Sequence, residues 1–167
     1  MRRFSLAPSL LAALLLGATN VGAQWLADPS DWKEAEAPPP PAFELKRLVR
    51  FEGPAYSSLQ FAVDPATMAI GKDGVVRYVV VITSSSGTVN AMYEGIRCVT
   101  GEFKTYARHN PDSGWNKVQN AEWKSVFATS PSQHTLRLAK QGVCTNAAPA
   151  SSVDAMVREL KNPYFSP

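Results

Sequence analysis

The clearest strand pattern in the chain lies between two glycine-containing turns. Residues 75–83 read VVRYVVVIT, which is rich in β-branched residues and apolar on both faces, as in a central strand. The segment Gly71-Lys72-Asp73-Gly74 precedes it as a hairpin turn, and residues 84–87 form the next turn. A third turn is expected at Thr100-Gly101. These turns predict an antiparallel meander of at least three strands.

Helical patterns appear mainly toward the C-terminus. Residues 120–127, NAEWKSVF, predict a short helix, whereas residues 134–140, HTLRLAK, predict a last strand. Residues 151–163 predict an amphipathic helix that Ser151 and Asp154 cap and Pro163 ends. Its apolar residues recur at helical spacing: Val153, Met156, Val157 and Leu160. The predicted fold class is therefore α+β, an antiparallel β-sheet packed with one or two helices and one disulfide.

The N-terminal quarter of the chain has a different composition. Residues 1–23 combine two arginines, an apolar run and the small residues Val-Gly-Ala, which predict a secretory signal peptide cut after Ala23. The apolar run is interrupted by Pro8 and Gly17, so a membrane-spanning helix is the less favoured alternative. Residues 24–42 are acidic and end in four prolines, as in an extended linker. The prediction is a single α+β domain over residues 43–167, without a transmembrane segment in the mature chain.

Charge is unevenly distributed along the predicted mature chain. The full sequence has 17 bases and 14 acids, but two of the bases belong to the signal peptide. Residues 24–42 carry a net charge of −3, whereas residues 43–140 hold twelve bases and eight acids, a net +4. This surplus permits weak attraction to polyanions, but specific nucleic-acid binding calls for a denser basic stripe.

The chain contains two cysteines, Cys98 and Cys144. Export to an oxidising compartment makes a disulfide between them the expected state. Such a bond closes a loop of about 47 residues and stabilises by roughly 4 kcal/mol on the chain-entropy model. A reactive thiol is the alternative, although neither cysteine has a histidine near it in sequence.

The sequence contains none of the common catalytic motifs. His109 and His134 adjoin turn-forming residues, so two exposed histidines are favoured over a metal site by about ten to one. Glu94 and Glu102 form a candidate carboxylate pair for hydrolysis of a glycan, but most sheets carry two glutamates. We therefore predict no catalytic residue, no cofactor and no metal.

A group of basic and aromatic residues is the one candidate binding site. If Thr100-Gly101 is a two-residue turn, one sheet face presents a cationic strip with aromatic edges. This strip would suit an anionic envelope component or an acidic protein, although a solvated outer face is about three times more common. Neighbouring like charges in the strip also call for a nearby acid. Its members are Tyr93, Arg97, Lys104, Tyr106 and Arg108.

Two charges lie within otherwise apolar strands. If residues 84–87 form a four-residue turn, Thr83 faces Thr88 and Arg77 faces Glu94. An unpaired charge is costly on a partly buried sheet face, so the sequence predicts a structural ion pair between Arg77 and Glu94.

Several short motifs resemble those of the CNP-one-like family, an uncharacterised group of bacterial envelope proteins. They include Val63-Asp64, residues 71–87 and YEGIRC at 93–98, together with KTYA at 104–107 and two tryptophans. The likeness covers most of residues 43–144. It implies an exported, non-catalytic protein, although this chain has no cysteine at its cleavage site, unlike the lipoproteins of that family.

The expected function is that of a periplasmic or secreted, non-enzymatic envelope protein that acts by binding or as a structural component. The alternative is a carboxylate-dependent hydrolase that acts on an envelope polymer. A cavity containing two carboxyl groups would favour the hydrolase, and a flat cationic face would favour binding.

Overall fold

A computed structural model of the chain describes residues 31–128 and 133–162. Its contacts divide the chain into Met1–Trp32 and Lys33–Pro167, and every feature reported below lies in the second unit. The predicted signal peptide and its cleavage site lie outside the described residues. Across the described ranges, none of the helices has the length and apolar content needed to cross a membrane.

An antiparallel sheet forms the centre of the fold, as predicted. Six of its strands follow in the order β1-β2-β4-β5-β6-β7, while β3 pairs with β4 and β8 pairs with β6. The hairpins β4–β5–β6 form the predicted meander. The strands are β1 (Val49–Phe51), β2 (Gln60–Val63), β3 (Ala69–Ile70), β4 (Val75–Thr83), β5 (Val89–Arg97), β6 (Glu102–Asn110), β7 (Gly114–Lys117) and β8 (Lys124–Ser125).

Both central hairpins have a register that differs from the prediction. Thr83 pairs with Val89, and not with Thr88, because the turn after β4 includes Thr88, whose carbonyl accepts from the Ser84 amide. Arg97 pairs with Glu102, because the turn after β5 runs through four residues and not two. The β4–β5 register is shifted by one residue, so residues predicted to face each other lie on opposite faces of the sheet. The β5–β6 register next to the turn is shifted by two residues, which leaves each side chain on its predicted face.

Two helices and a short two-stranded ribbon complete the fold. Helix α1 (Gln133–Leu138) continues into a π-helical segment, Ala139–Val143, in which Gly142 has a φ of 129°. Helix α2 spans Val153–Leu160. The ribbon pairs β9 (Cys144–Thr145) with β10 (Ala148–Pro149), and the Cys98–Cys144 disulfide is formed as predicted.

The C-terminal helix is confirmed, although its cap is Ser152, whose hydroxyl accepts from the Ala155 amide. The other two C-terminal predictions were wrong. Residues 120–127 form no helix, because Asn120 has a φ of 51° and the chain pairs with β6 at β8. The predicted last strand is helix α1, and its buried residues have the spacing of a helix: His134, Thr135 and Leu138.

The sheet has a hydrophobic core on each of its faces. On one face, which we call the helix face, residues such as Val76, Val80 and Ile96 pack with Leu138 and Met156 of the helical layer. The opposite face carries a smaller cluster formed by Val79, Val81, Ala91, Tyr93 and Ala107.

Residues 33–42, which belong to the predicted linker, lie against this smaller cluster. They form no helix or strand, and several of their side chains are partly buried. Glu34 and Ala35 make hydrogen bonds to side chains of β4, of β6 and of the turn before β4. We call residues 33–42 the strap, and the face that it contacts the strap face.

Candidate functional site

An open cavity of about 780 Å³ lies on the helix face, beside α1. This volume is within the range of about 300–1,000 Å³ that is usual for small-molecule sites. Its walls include apolar side chains from the sheet and from the loop between β1 and β2: Tyr56, Leu59, Phe61, Ile82, Met92 and Phe103. Four of its polar residues are Glu94, Thr105, Arg108 and His134. The cavity thus combines apolar walls with a few grouped polar side chains.

Glu94 is the centre of a buried hydrogen-bonded cluster at this cavity. Only 1% of the residue is exposed. Its Oε1 accepts from the Thr105 hydroxyl at 3.0 Å, and its Oε2 accepts from the Tyr78 hydroxyl at 3.3 Å and lies 2.9 Å from Nε2 of His134. An ionised carboxylate only accepts hydrogen bonds, so Nε2 of His134 then carries a hydrogen. Both oxygens of Glu94 are therefore held by donors of the protein.

Neighbouring groups hold Tyr78 and His134 in place. Burial raises the pKa of Tyr78 well above its ordinary value, and the charge and hydrogen bond of Glu94 add to the increase. The Tyr78 phenol therefore stays protonated and remains a donor to Glu94. The His134 ring stacks on Phe61 with 5.8 Å between ring centroids and 11° between planes. The cluster joins three strands of the sheet to the first turn of α1.

The predicted Arg77–Glu94 ion pair was wrong. In the observed register Arg77 lies opposite Gly95, and Tyr78 lies opposite Glu94, so the two charges occupy opposite faces. Arg77 instead pairs with Asp73 at 2.8 Å. The prediction correctly required partners for both charges, but the length of the turn determined which residues supply them.

The predicted cationic strip is divided between the two faces. A β-bulge between β5 and β6 leaves Tyr106 as an extra residue, since Tyr93 pairs with Ala107 while Glu94 pairs with Thr105. Beyond the bulge, Arg108 lies on the cavity side, where its guanidinium is 2.9 Å from the Met92 sulfur. The other four predicted members lie on the strap face: Tyr93, Arg97, Lys104 and Tyr106.

Arg108 differs from the other basic residues of the strip in its partners. Within residues 31–128 and 133–162, it forms no ion pair with an acid. Its side chain is exposed and borders the cavity. Arg97 and Lys104, in contrast, have the acidic partners Glu102 at 3.8 Å and Glu34 at 2.9 Å. The nearby acid that the sequence called for thus comes partly from the chain's own strap.

The carboxylate of Glu34 binds three donors on the strap face. Lys104 Nζ, the Tyr106 hydroxyl and Trp123 Nε1 lie 2.9, 2.8 and 3.0 Å from its oxygens. Burial acts to raise the pKa of Glu34, but the hydrogen bonds from Lys104, Tyr106 and Trp123 outweigh it and lower the pKa below its ordinary value. Glu34 is therefore anchored as an anion.

The backbone of Ala35 is also bound to the strap face. Its N–H donates to Asp73 at 2.9 Å, and its carbonyl accepts from the Arg77 guanidinium at 3.1 Å. Farther along the strap, Pro38, Pro39 and Pro40 line a second cavity of about 710 Å³. The sheet contributes three aromatic residues to that cavity: Tyr93, Tyr106 and Trp115.

The positions of the candidate carboxylate pair and of the two histidines differ from what the sequence predicted. Glu94 lies on the helix face and Glu102 on the strap face, so these two carboxylates cannot flank one glycosidic bond. The expectation of two exposed histidines was wrong for His134, which is 3% exposed. His109 is half-buried and packs edge-on against Phe43 and Trp115.

Sequence reasoning missed both His134 and Glu34. Two signals in the sequence bear on them. A glutamate in an apolar strand needs buried donors, and His134 is one of only two histidines that can supply one. The net −3 of residues 24–42 beside the net +4 of residues 43–140 favours contact between the two segments.

Comparison with protein families gives one match. The model of the CNP1-like family matches residues 27–161, which is most of the chain and includes the strap, the sheet and α2. No curated protein and no solved structure matches the chain. By its match to this family model, the chain belongs to the CNP1-like family.

Proposed function

We propose that this protein is an exported, non-enzymatic component of the cell envelope that binds a small amphipathic anion in the cavity on the helix face. The observation that carries the proposal is the position of Arg108. It is a cation without an acidic partner among the described residues, and it borders an apolar-walled cavity. A ligand with an apolar or aromatic body and one anionic group matches both features.

The hydrogen bonds of Glu94 support binding over catalysis. Both of its oxygens accept hydrogen bonds from the protein, so the carboxylate positions α1 and the floor of the cavity. A carboxylate-dependent hydrolase needs a second acid across the scissile bond, and Glu102 lies on the opposite face. The hydrolase alternative therefore has less support than binding.

Export is proposed from residues 1–23, whose charged start, apolar run and small residues are typical of a secretory signal peptide. The Cys98–Cys144 disulfide supports an oxidising compartment. Intact mass of the protein recovered from the periplasm should place its N-terminus at Gln24. Recovery of the uncut chain from the cytoplasm would contradict export.

A fluorescent amphipathic anion tests the binding proposal. We expect 8-anilinonaphthalene-1-sulfonate to bind the protein with one-to-one stoichiometry, and Arg108→Gln to weaken binding about tenfold or more, because it removes a charge-assisted contact. The neutral probe N-phenyl-1-naphthylamine should bind both proteins with similar affinity, because Gln leaves the apolar walls intact.

Arg50→Gln is the matched control, since Arg50 is also an exposed arginine on a strand and does not line the cavity. It should leave the affinity for the sulfonate unchanged. Equal losses in the two variants would reduce the effect to general electrostatic attraction and would overturn the assignment of Arg108.

A further inference from the structure

The strap contacts the strap face through side-chain and backbone hydrogen bonds, as a bound peptide contacts its protein partner in a complex. The side chain of Glu34 binds three donors, and the backbone groups of Ala35 bind the side chains of Asp73, in the turn before β4, and of Arg77 on β4. The Lys104 ammonium lies over the rings of Tyr106 and Trp123, 5.7 Å from each centroid, within the range of a cation–π contact. All of these partners come from the domain, so a separate peptide with the same groups would meet the same donors and acceptors.

The prolines that follow this anchor add a second feature of peptide recognition. Pro38, Pro39 and Pro40 line the 710 Å³ cavity together with Tyr93, Tyr106 and Trp115. Aromatic-lined grooves are a recurring binding surface for proline-rich segments. Proline restricts the backbone conformation of the free peptide, so the peptide loses less conformational entropy when it binds.

The strap is anchored mainly at one end. No hydrogen bond joins described residues 36–42 to the sheet. The strap therefore loses its polar contacts with the sheet once Glu34 and Ala35 are released. The strap is only partly buried, and the cavity beside it leaves room next to the prolines. A segment of the same chemistry on another molecule can therefore exchange with the strap.

We propose that the strap face is a binding groove for an acidic, proline-rich segment of a partner protein, and that the strap occupies this groove in cis. The groove binds a glutamate through Lys104, Tyr106 and Trp123 and accepts prolines that begin four residues later, as in Glu34 and Pro38. This inference does not rest on the proposed ligand of the cavity, which lies on the opposite face of the sheet.

A labelled peptide with the sequence of residues 33–42, KEAEAPPPPA, tests the groove in the exported chain. The tethered strap competes with the peptide at high effective concentration, so wild type should bind it weakly. Glu34→Gln in the chain weakens the competitor and should raise the apparent affinity for the unmodified peptide at least tenfold.

Three controls separate recognition from nonspecific binding. Lys104→Gln, combined with Glu34→Gln, should remove most of the gained affinity, as should the peptide in which its own Glu34 is changed to Gln. Arg108→Gln, on the cavity side, should leave peptide binding unchanged. Failure of the Glu34→Gln chain to bind the peptide, or equal binding by all variants, would overturn the proposal.

Hydrogen exchange in the wild-type chain provides a second measurement if the Glu34→Gln chain is not folded. The Ala35 amide donates to Asp73 and should exchange faster when excess peptide displaces the strap. Unchanged exchange at saturating peptide would contradict displacement. A wild-type dimer that forms without peptide and disappears in Glu34→Gln would identify the occupant as the strap of a second copy and would overturn the assignment to a partner protein.

Discussion

Glu94 is an acidic residue in an apolar strand, and its side-chain oxygens are hydrogen-bonded by partners from three separate elements. Tyr78 and Thr105 are on adjacent strands, whereas His134 is forty residues away on α1. Removing one partner leaves a buried polar atom without its hydrogen bond. This costs more free energy of unfolding than the hydrogen bond contributes on balance.

A double-mutant cycle of Glu94→Gln and His134→Gln should therefore show strong coupling. We expect each single change to lower the free energy of unfolding by about 1.5–3 kcal/mol, with a coupling of at least about 1 kcal/mol, because the two side chains share one hydrogen bond. Urea unfolding at pH 7 measures both quantities.

The control cycle pairs Glu94→Gln with Arg77→Met. These side chains lie on opposite faces and have different partners, so their effects should add to within about 0.5 kcal/mol. Coupling in the Arg77 cycle, with additivity in the His134 cycle, would restore the register predicted from the sequence and contradict the observed one.

Three buried or partly buried carboxylates should make the free energy of unfolding depend on pH in the acid range. For Asp64, burial acts to raise the pKa, but hydrogen bonds from the Arg47 guanidinium and from the Glu44 and Ala66 amides outweigh it and lower the pKa. Asp73 and Glu34 also have lowered pKa values, since hydrogen bonds outweigh burial in each.

A group with a lowered folded-state pKa stabilises above its unfolded pKa, and this contribution disappears as pH falls through the folded value. The free energy of unfolding should thus fall as pH drops below about 4.5 and 3.8, the ordinary values for these groups. Urea unfolding between pH 6 and pH 3 measures this slope, which Asp64→Asn should reduce. A stability that is constant or rises over that range would contradict the ion pairs.

The elements were more predictable than the connections between them. The β-branched run of Val75–Thr83 predicted the exact bounds of β4, and the apolar spacing of the last helix predicted the buried face of α2. Short segments such as residues 134–140 fit both a strand and a helix, and packing against the sheet decided between them. Turn length and the bulge at Tyr106 depend on backbone geometry that residue types alone do not specify.

Gly95 on β5 shows how one element constrains its neighbours. A Cβ at this position would lie 2.8 Å from Val75 Cγ1 and 2.9 Å from the Tyr106 hydroxyl, which binds Glu34. Gly95→Ala should therefore displace Tyr106, lower the free energy of unfolding by about 1–3 kcal/mol and loosen the strap.

Limited proteolysis within the strap and thermal unfolding measure the two effects of Gly95→Ala. Tyr106→Phe is the matched control, because it removes the bond to Glu34 without crowding the strand. It should increase cleavage of the strap with a smaller loss of stability. A Gly95→Ala chain as stable and as resistant as wild type would contradict the close packing at this position.

At the scale of the whole molecule, the disulfide joins the end of β5 to the helical layer. Cys98 follows β5, and Cys144 follows the π-helical segment that continues α1. The bond lowers the conformational entropy of the unfolded chain and should stabilise the folded protein by about 4 kcal/mol on the chain-entropy model.

The double variant Cys98→Ser and Cys144→Ser should lose about that free energy of unfolding, as measured by denaturant titration without reductant. Wild type in reductant should show a similar loss, which serves as the control for the substitution itself. A difference below about 1 kcal/mol in both experiments would show that the helical layer is held by its apolar contacts alone.

The assembly of the site could be predicted only in part, because its members come from distant parts of the chain. Arg108 was identified from sequence as part of a cationic strip, but the bulge moved it to the face that contains the cavity. His134 came from a segment assigned to the wrong element, and Glu34 came from a segment assigned to a linker. Local patterns predict elements, whereas these contacts depend on the tertiary packing of several elements.

The most direct test of the binding cavity uses the methionine methyl groups of the protein. Met92 lines the cavity, whereas Met68 and Met156 are buried in the core outside its lining. In a protein labelled with ¹³C at the methionine methyls, titration with 8-anilinonaphthalene-1-sulfonate should shift the Met92 signal saturably. The Met68 and Met156 signals should stay in place, and Arg108→Gln should move the Met92 titration to higher concentration. Saturable binding that leaves Met92 unchanged, or shifts all three signals equally, would contradict a ligand site in this cavity.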